Sequence, residues 1–189
     1  MPNARARFEP LTPDRWDDLT MLFGARGACG GCWCMWWRLP AGEFARRKGS
    51  GNRRAFRRVV AEGPAPGLLA YMGDVPAGWV ALAPRDRFVR LTRSRVLQPV
   101  DDEPVWAVTC FFIARPYRGR GLGVRLLKAA VRYARTQGAR IVEGFPVDPR
   151  SGRVPDVFAW TGVPALFAAA GFREVARRAP TRPIVRRRV

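Results

Sequence analysis

Three groups of residues in this 189-residue chain have types and spacings that could do chemistry. The first is the turn Arg118-Gly119-Arg120-Gly121-Leu122-Gly123, which follows an apolar β-type run (Val105 to Ala114) and opens onto an amphipathic helix. Strand, glycine turn and helix start together make an anion cradle. Glycine lets the backbone approach closely, the first-turn N–H groups have no partner inside the helix, and the dipole end is positive. The turn's arginines add mobile charge, so the chemistry indicated is the holding of a phosphate. The second group is acid–base. The chain has no histidine, so a base must be a carboxylate, a thiolate or water. Tyr117 is the tyrosine nearest the turn and could give a proton. The third group is Cys29-Gly30-Gly31-Cys32-Trp33-Cys34-Met35-Trp36-Trp37-Arg38. Cys-x-x-Cys-x-Cys suggests metal ligation or a redox pair, but a structural zinc site takes four ligands and only Cys110 remains. Reduced cysteines are the plainer reading, and no metal is expected.

Two other phosphate motifs fit poorly. A dinucleotide fingerprint needs G-x-G-x-x-G, but counting from Gly119 or Gly121 puts Val124 or Leu126 at the third glycine. A Walker-type G-x-x-x-x-G-K-[ST] is absent. A helix-capping turn on a basic surface is the bland alternative.

Arg118-x-x-Gly121-x-Gly123 after a hydrophobic strand resembles the acyl-CoA signature of the GNAT (Gcn5-related N-acetyltransferase) superfamily. Ala165-Leu166-Phe167-Ala168-Ala169-Ala170-Gly171-Phe172 is similar to the late helix of that family, which ends in Gly-Phe. The resemblance implies a single α/β domain over residues 1–189, with a mixed central sheet of about six to seven strands, about four flanking helices and splayed central strands. It implies acetyl-CoA as acyl donor, with Phe111, Phe112 and Ile113 along the pantetheine and Arg118, Gly119, Arg120, Gly121, Leu122, Gly123 and Val124 around the pyrophosphate. An N–H of Phe112 or Ile113 would face the developing oxyanion. The reaction expected is acetyl transfer to a primary amine by direct attack in a ternary complex. Glu143, which interrupts an apolar segment, is preferred over Glu103 as base, with a strand-end salt bridge as its alternative role. Tyr117 is the candidate acid. Trp33, Trp36, Trp37 and Arg38 are expected to shape the acceptor pocket, with an aromatic cluster as one wall. One departure stands out: the family often has a tyrosine four residues before the late glycine, where this chain has Phe167. A homodimer is common in that family. A CoA-binding sensor and a basic nucleic-acid-binding domain are the alternatives.

Positioning these residues requires particular elements. Apolar periodicity predicts strands near 7–12, 67–72, 77–83, 104–114, 139–145, 172–178 and 182–188. It predicts helices near 13–23, 40–62 (broken at 49–51), 121–137 and 163–170, with a short helical or irregular excursion at 85–95 and a loop at 146–160. Gly73-Asp74 reads as a hairpin turn.

Composition sets the bounds. The length suits one domain, and 48% hydrophobic residues suit a packed core. No signal-like segment or membrane-length apolar run appears, so a cytoplasmic protein is expected. A net charge of +19 would fit a nucleic-acid partner. No nucleic-acid motif accompanies it, and the stripe Arg125, Lys128, Arg132, Arg135 reads as the solvated face of a helix. Nucleic acid is therefore the less favoured partner beside a small amine.

Overall fold

A computed structural model describes residues 6–149, 155 and 158–189. Seven strands form one sheet: β1 (Ala6–Pro10), β2 (Gly67–Met72), β3 (Val75–Pro84), β4 (Trp106–Ile113), β5 (Ile141–Gly144), β6 (Arg173–Arg177) and β7 (Pro183–Arg188). Their order is β1-β2-β3-β4-β5-β7-β6. Every pairing is antiparallel except β4 with β5. That parallel pair needs a crossover, which helix α5 (Leu122–Thr136) supplies. The α-helices before it are α1 (Trp16–Phe23), α2 (Ala41–Arg46), α3 (Ser50–Glu62) and the one-turn α4 (Val89–Thr92); α6 (Pro164–Ala169) follows. The break predicted at 49–51 lies slightly earlier, at 47–49 between α2 and α3, where Gly49 has φ +80°.

Helix α5 explains one face of the sheet. Leu122, Leu126, Leu127, Ala130, Val131 and Ala134 recur at helical spacing and are buried against β2, β3 and β4. Arg125, Lys128, Arg132 and Arg135 are exposed on the opposite side, so the basic stripe is the solvated face. Gly138, at φ +85°, ends the helix, and the N–H of Ala139 returns to the carbonyl of Ala134. The other face carries two separate apolar clusters. One joins α1, α3 and Trp79; the other gathers Phe88, Leu91, Ala107 and Phe145.

Strand β4 controls what the sheet can do. Its register with β3 shifts so that Cys110 opposes Ala81 and Val108 opposes Leu82, leaving Thr109 as a bulge. Bulges bend a strand and increase its twist. Parallel pairing with β5 runs only from Trp106–Val142 to Val108–Gly144, so the two strands part at the bulge. The splay expected of the central strands is therefore present.

Candidate active site

The splay is filled at its base by a wedge, residues 160–162. The N–H of Phe111 donates to the Trp160 carbonyl (2.6 Å), and the N–H of Val147, beyond β5, donates to the Gly162 carbonyl (2.9 Å). The wedge must be slender. A Cβ on Gly162, which has φ +84°, would lie 2.7 Å from the Phe167 ring and 3.2 Å from Phe111. Above the wedge no described residue pairs with the splay-side edge of β4. Strand amides alternate in direction, and the N–H of Ala114 donates to Ala77 on the β3 side (2.9 Å). The N–H of Phe112 therefore faces β3 as well, whereas that of Ile113 faces the splay. Of the two expected oxyanion donors, only Ile113 points the right way.

The glycine turn lies at the end of this edge. Residues 115–117 make a short 3₁₀ turn, and Arg118 to Gly121 are exposed. Arg118 ties the turn to the strand, its Nε donating to the Ile113 carbonyl (2.8 Å). Gly121 caps α5 in the left-handed region (φ +73°), with no side-chain cap and no acidic residue in the first turn. Nothing lies within 4 Å of where a Cβ would sit on Gly119 or Gly121. First-turn N–H groups, bare glycines and arginines thus form an open cradle suited to an anionic diphosphate. Leu122 is buried, and Val124 and half-buried Tyr117 pack against the same core.

Glu143 is placed differently from a general base. It is fully buried, Oε1 accepts from Arg85 Nη1, and Oε2 accepts from Arg186 Nε at 2.7 Å. Asp101 extends the network to Arg186 (2.6 Å). Both oxygens are committed, so the strand-end ion pair corrects the catalytic assignment. Glu103 is exposed ahead of β4, at the end away from the splay.

The tryptophans divide. Trp33 is buried against Trp16 (6.1 Å) and Phe23 (5.8 Å), a core residue rather than a pocket wall. Trp37 is also buried, and its indole N–H donates to the Thr109 carbonyl at the bulge (3.1 Å). It supports β4 from behind. Trp36 is 39% exposed, edge-on to Phe44 and Trp160, with the Arg90 guanidinium 3.8 Å from its ring centroid. Arg38 stacks 4.6 Å over Phe88. Its Nε and Nη2 are buried and have no hydrogen-bond partner among the described residues. Burial lowers its pKa to about 10, against the opposing pull of Cys34 and with a further push from Arg87.

The cysteines do not converge as ligands: among the described residues no three Cys, Asp or Glu side chains come together. Cys29 is exposed, while Cys34 is buried and accepts from the Trp79 indole (2.9 Å); the Cys110 thiol donates to the Phe111 carbonyl (3.8 Å). Burial pushes the Cys34 thiol up, but neighbouring Cys110, Trp79 and the charge of Arg38 together outweigh it and hold the thiol below its usual range. The loop is strained, with φ +69° at Ala28, +45° at Trp33 and +56° at Cys34.

Sequence reasoning missed Thr109, Trp160 and Arg90. Thr109 sits unmarked in a run of β-formers, and Trp160 follows a stretch partly outside the described residues. Arg90 is one of many arginines, and only its stacking on Trp36 distinguishes it.

Comparison with known proteins agrees with this geometry. The acetyltransferase (GNAT) family model matches residues 33–151, more than half of the chain. No curated protein sequence matches it. Among solved structures, an acetyltransferase from Thermus thermophilus is similar with TM-score 0.54 and 20% identity, covering 100% of both chains. PaiA N-acetyltransferase from Thermoplasma acidophilum, solved in complex with coenzyme A, gives 0.56 and 11% over 98% of this chain and 99% of its own. A GNAT-family acetyltransferase from Listeria monocytogenes gives 0.60 and 8% over 97% and 95%. At these identities the structures speak for the fold, and the family match over residues 33–151 decides membership: the chain belongs to the GNAT acetyltransferase family.

Proposed function

We propose that this protein moves an acetyl group from acetyl-CoA to a primary amine by direct attack within a ternary complex. The observation that carries the reading is the continuity of the open β4 edge at Ile113 with the bare glycine turn at the start of α5. In this reading the turn's amides and arginines hold the diphosphate, and the edge of β4 pairs with the pantetheine arm. The Ile113 N–H then stabilises charge developing on the thioester oxygen. Coenzyme A bound to the Thermoplasma relative is consistent with this donor.

The acceptor would approach from the opposite face of β4, where Trp36 and Trp160 are edge-on. With Glu143 ion-paired, Tyr117 remains the side chain proposed for proton transfer, and solvent is the other route. Phe167 has no proton to give. It is fully buried against Phe111 and Phe172, and a Cβ on Gly144 would fall 2.6 Å from its Cζ, so its ring tip abuts β5. That substitution favours a second reading, coenzyme A binding without transfer.

Thermal shift and thiol release separate the two. Acetyl-CoA should raise Tm in both readings, as any native-state ligand does. Release of free thiol against a panel of primary amines should occur only in the first. A folded protein that takes up acetyl-CoA yet releases no thiol with any amine would establish the second.

A further inference from the structure

Arg38 is the guanidinium the fold leaves unanswered. Where carboxylates are available the chain uses them: Arg85 and Arg186 share Glu143, and Arg177 holds Glu174 and Asp148. Arg38 has no such partner among the described residues. It sits in the seam between the two apolar clusters of the face opposite α5, near Cys34 of one and over Phe88 of the other. Cys34 belongs to the cluster that Cys110 borders, the residue of β4 immediately before Phe111. The seam therefore leads to the strand whose splay-side edge carries the proposed transfer.

The unpartnered atoms are specific. Nε and Nη2 form one side of the guanidinium fork, two parallel N–H vectors spaced to match the two oxygens of a carboxylate. Shielding both from water without a partner is costly, and the cost vanishes only when an acceptor pair arrives. Arg90 borders the same segment from outside: its backbone N–H donates to Trp37 and its Nε to Leu39, which fixes its guanidinium over Trp36.

We propose that Arg38 anchors the carboxylate of the acceptor, so that the amine acetylated is that of a small amino acid. This deepens the acetyl-transfer reading and rests on it. The test uses the full chain with matched pairs: phenylalanine and phenylalaninamide, β-alanine and its amide, 4-aminobutyrate and its amide. Binding is measured by calorimetry in the presence of coenzyme A, and thiol release with acetyl-CoA. At least one acid should bind and react about thirtyfold better than its amide. Arg38→Met should reduce that ratio to about one, Arg38→Lys should restore part of it, and coenzyme A affinity should not change. Removing an unpaired buried charge should also leave the Tm of the free protein unchanged or higher.

The proposal is overturned if no acid binds better than its amide, or if the preference survives Arg38→Met. It is equally overturned if Tm falls sharply in both variants, because Arg38 would then be structural. Failure of coenzyme A itself to bind would sink the transfer reading instead, and the calorimetry of the acids alone would still decide the role of Arg38.

Discussion

Residues of one type do opposite work here, and burial decides which. Trp33 and Trp36 lie three positions apart, yet one is stacked in the core and the other lies under Arg90 at the surface. Trp33→Ala should cost about 3–5 kcal/mol in chemical denaturation, the range for deleting a large buried aromatic. Trp36→Ala should leave stability within about 0.5 kcal/mol. It should raise the acceptor KM while acetyl-CoA affinity stays the same. Glu143→Gln offers a sharper contrast. Two guanidinium groups would lose their shared counter-charge, so the variant should lose about 3–5 kcal/mol of stability. Any turnover should persist in the folded variant, whereas its abolition with the fold retained would restore Glu143 as the base. The glycine turn was legible in the sequence because its requirements are local: positive φ, no Cβ and a helix start within a few residues. The role of Glu143 stayed open there between base and salt bridge, because its partners Arg85 and Arg186 are distant in the chain and only the register of β5 with β7 brings Arg186 opposite it.

At the scale of elements, the apolar pattern marked nearly every strand and helix, with boundaries moved by a few residues. It did not mark the bulge at Thr109, which depends on how β4 pairs with β3 and on Trp37 binding the bulge carbonyl. Trp37→Phe keeps most of the packing but strands that buried carbonyl, at a cost of about 1–3 kcal/mol. If the bulge sets the splay, acetyl-CoA affinity should weaken in the same variant. Unchanged affinity would assign the splay to the 160–162 wedge alone. Gly144 tests the other wall. A Cβ there would lie 2.1 Å from Cε1 of Phe167, so Gly144→Ala should destabilise by about 1–3 kcal/mol through overpacking. Phe167 itself was visible in the sequence only as a missing hydroxyl. The structure adds that its ring packs edge-on to Phe111 of β4 and against Gly144 of β5.

For the whole molecule, the fold and the family are established and the acyl donor is proposed. The seven-stranded sheet with one parallel pair, and the family match over residues 33–151, establish a GNAT acetyltransferase fold. The net charge of +19 does not discriminate among partners, since one orderly part of it is the solvated face of α5. No helix among the described residues is long and apolar enough to cross a membrane. We propose, more narrowly, that the amides from Arg118 to Val124 hold the diphosphate of an acyl-CoA. Isothermal titration of the folded chain with acetyl-CoA tests it most directly. One equivalent should bind saturably, and Gly121→Val, which forces a β-branched residue to φ +73°, should weaken binding at least about tenfold with helix content retained. A folded wild-type protein that takes up no acetyl-CoA would contradict the account.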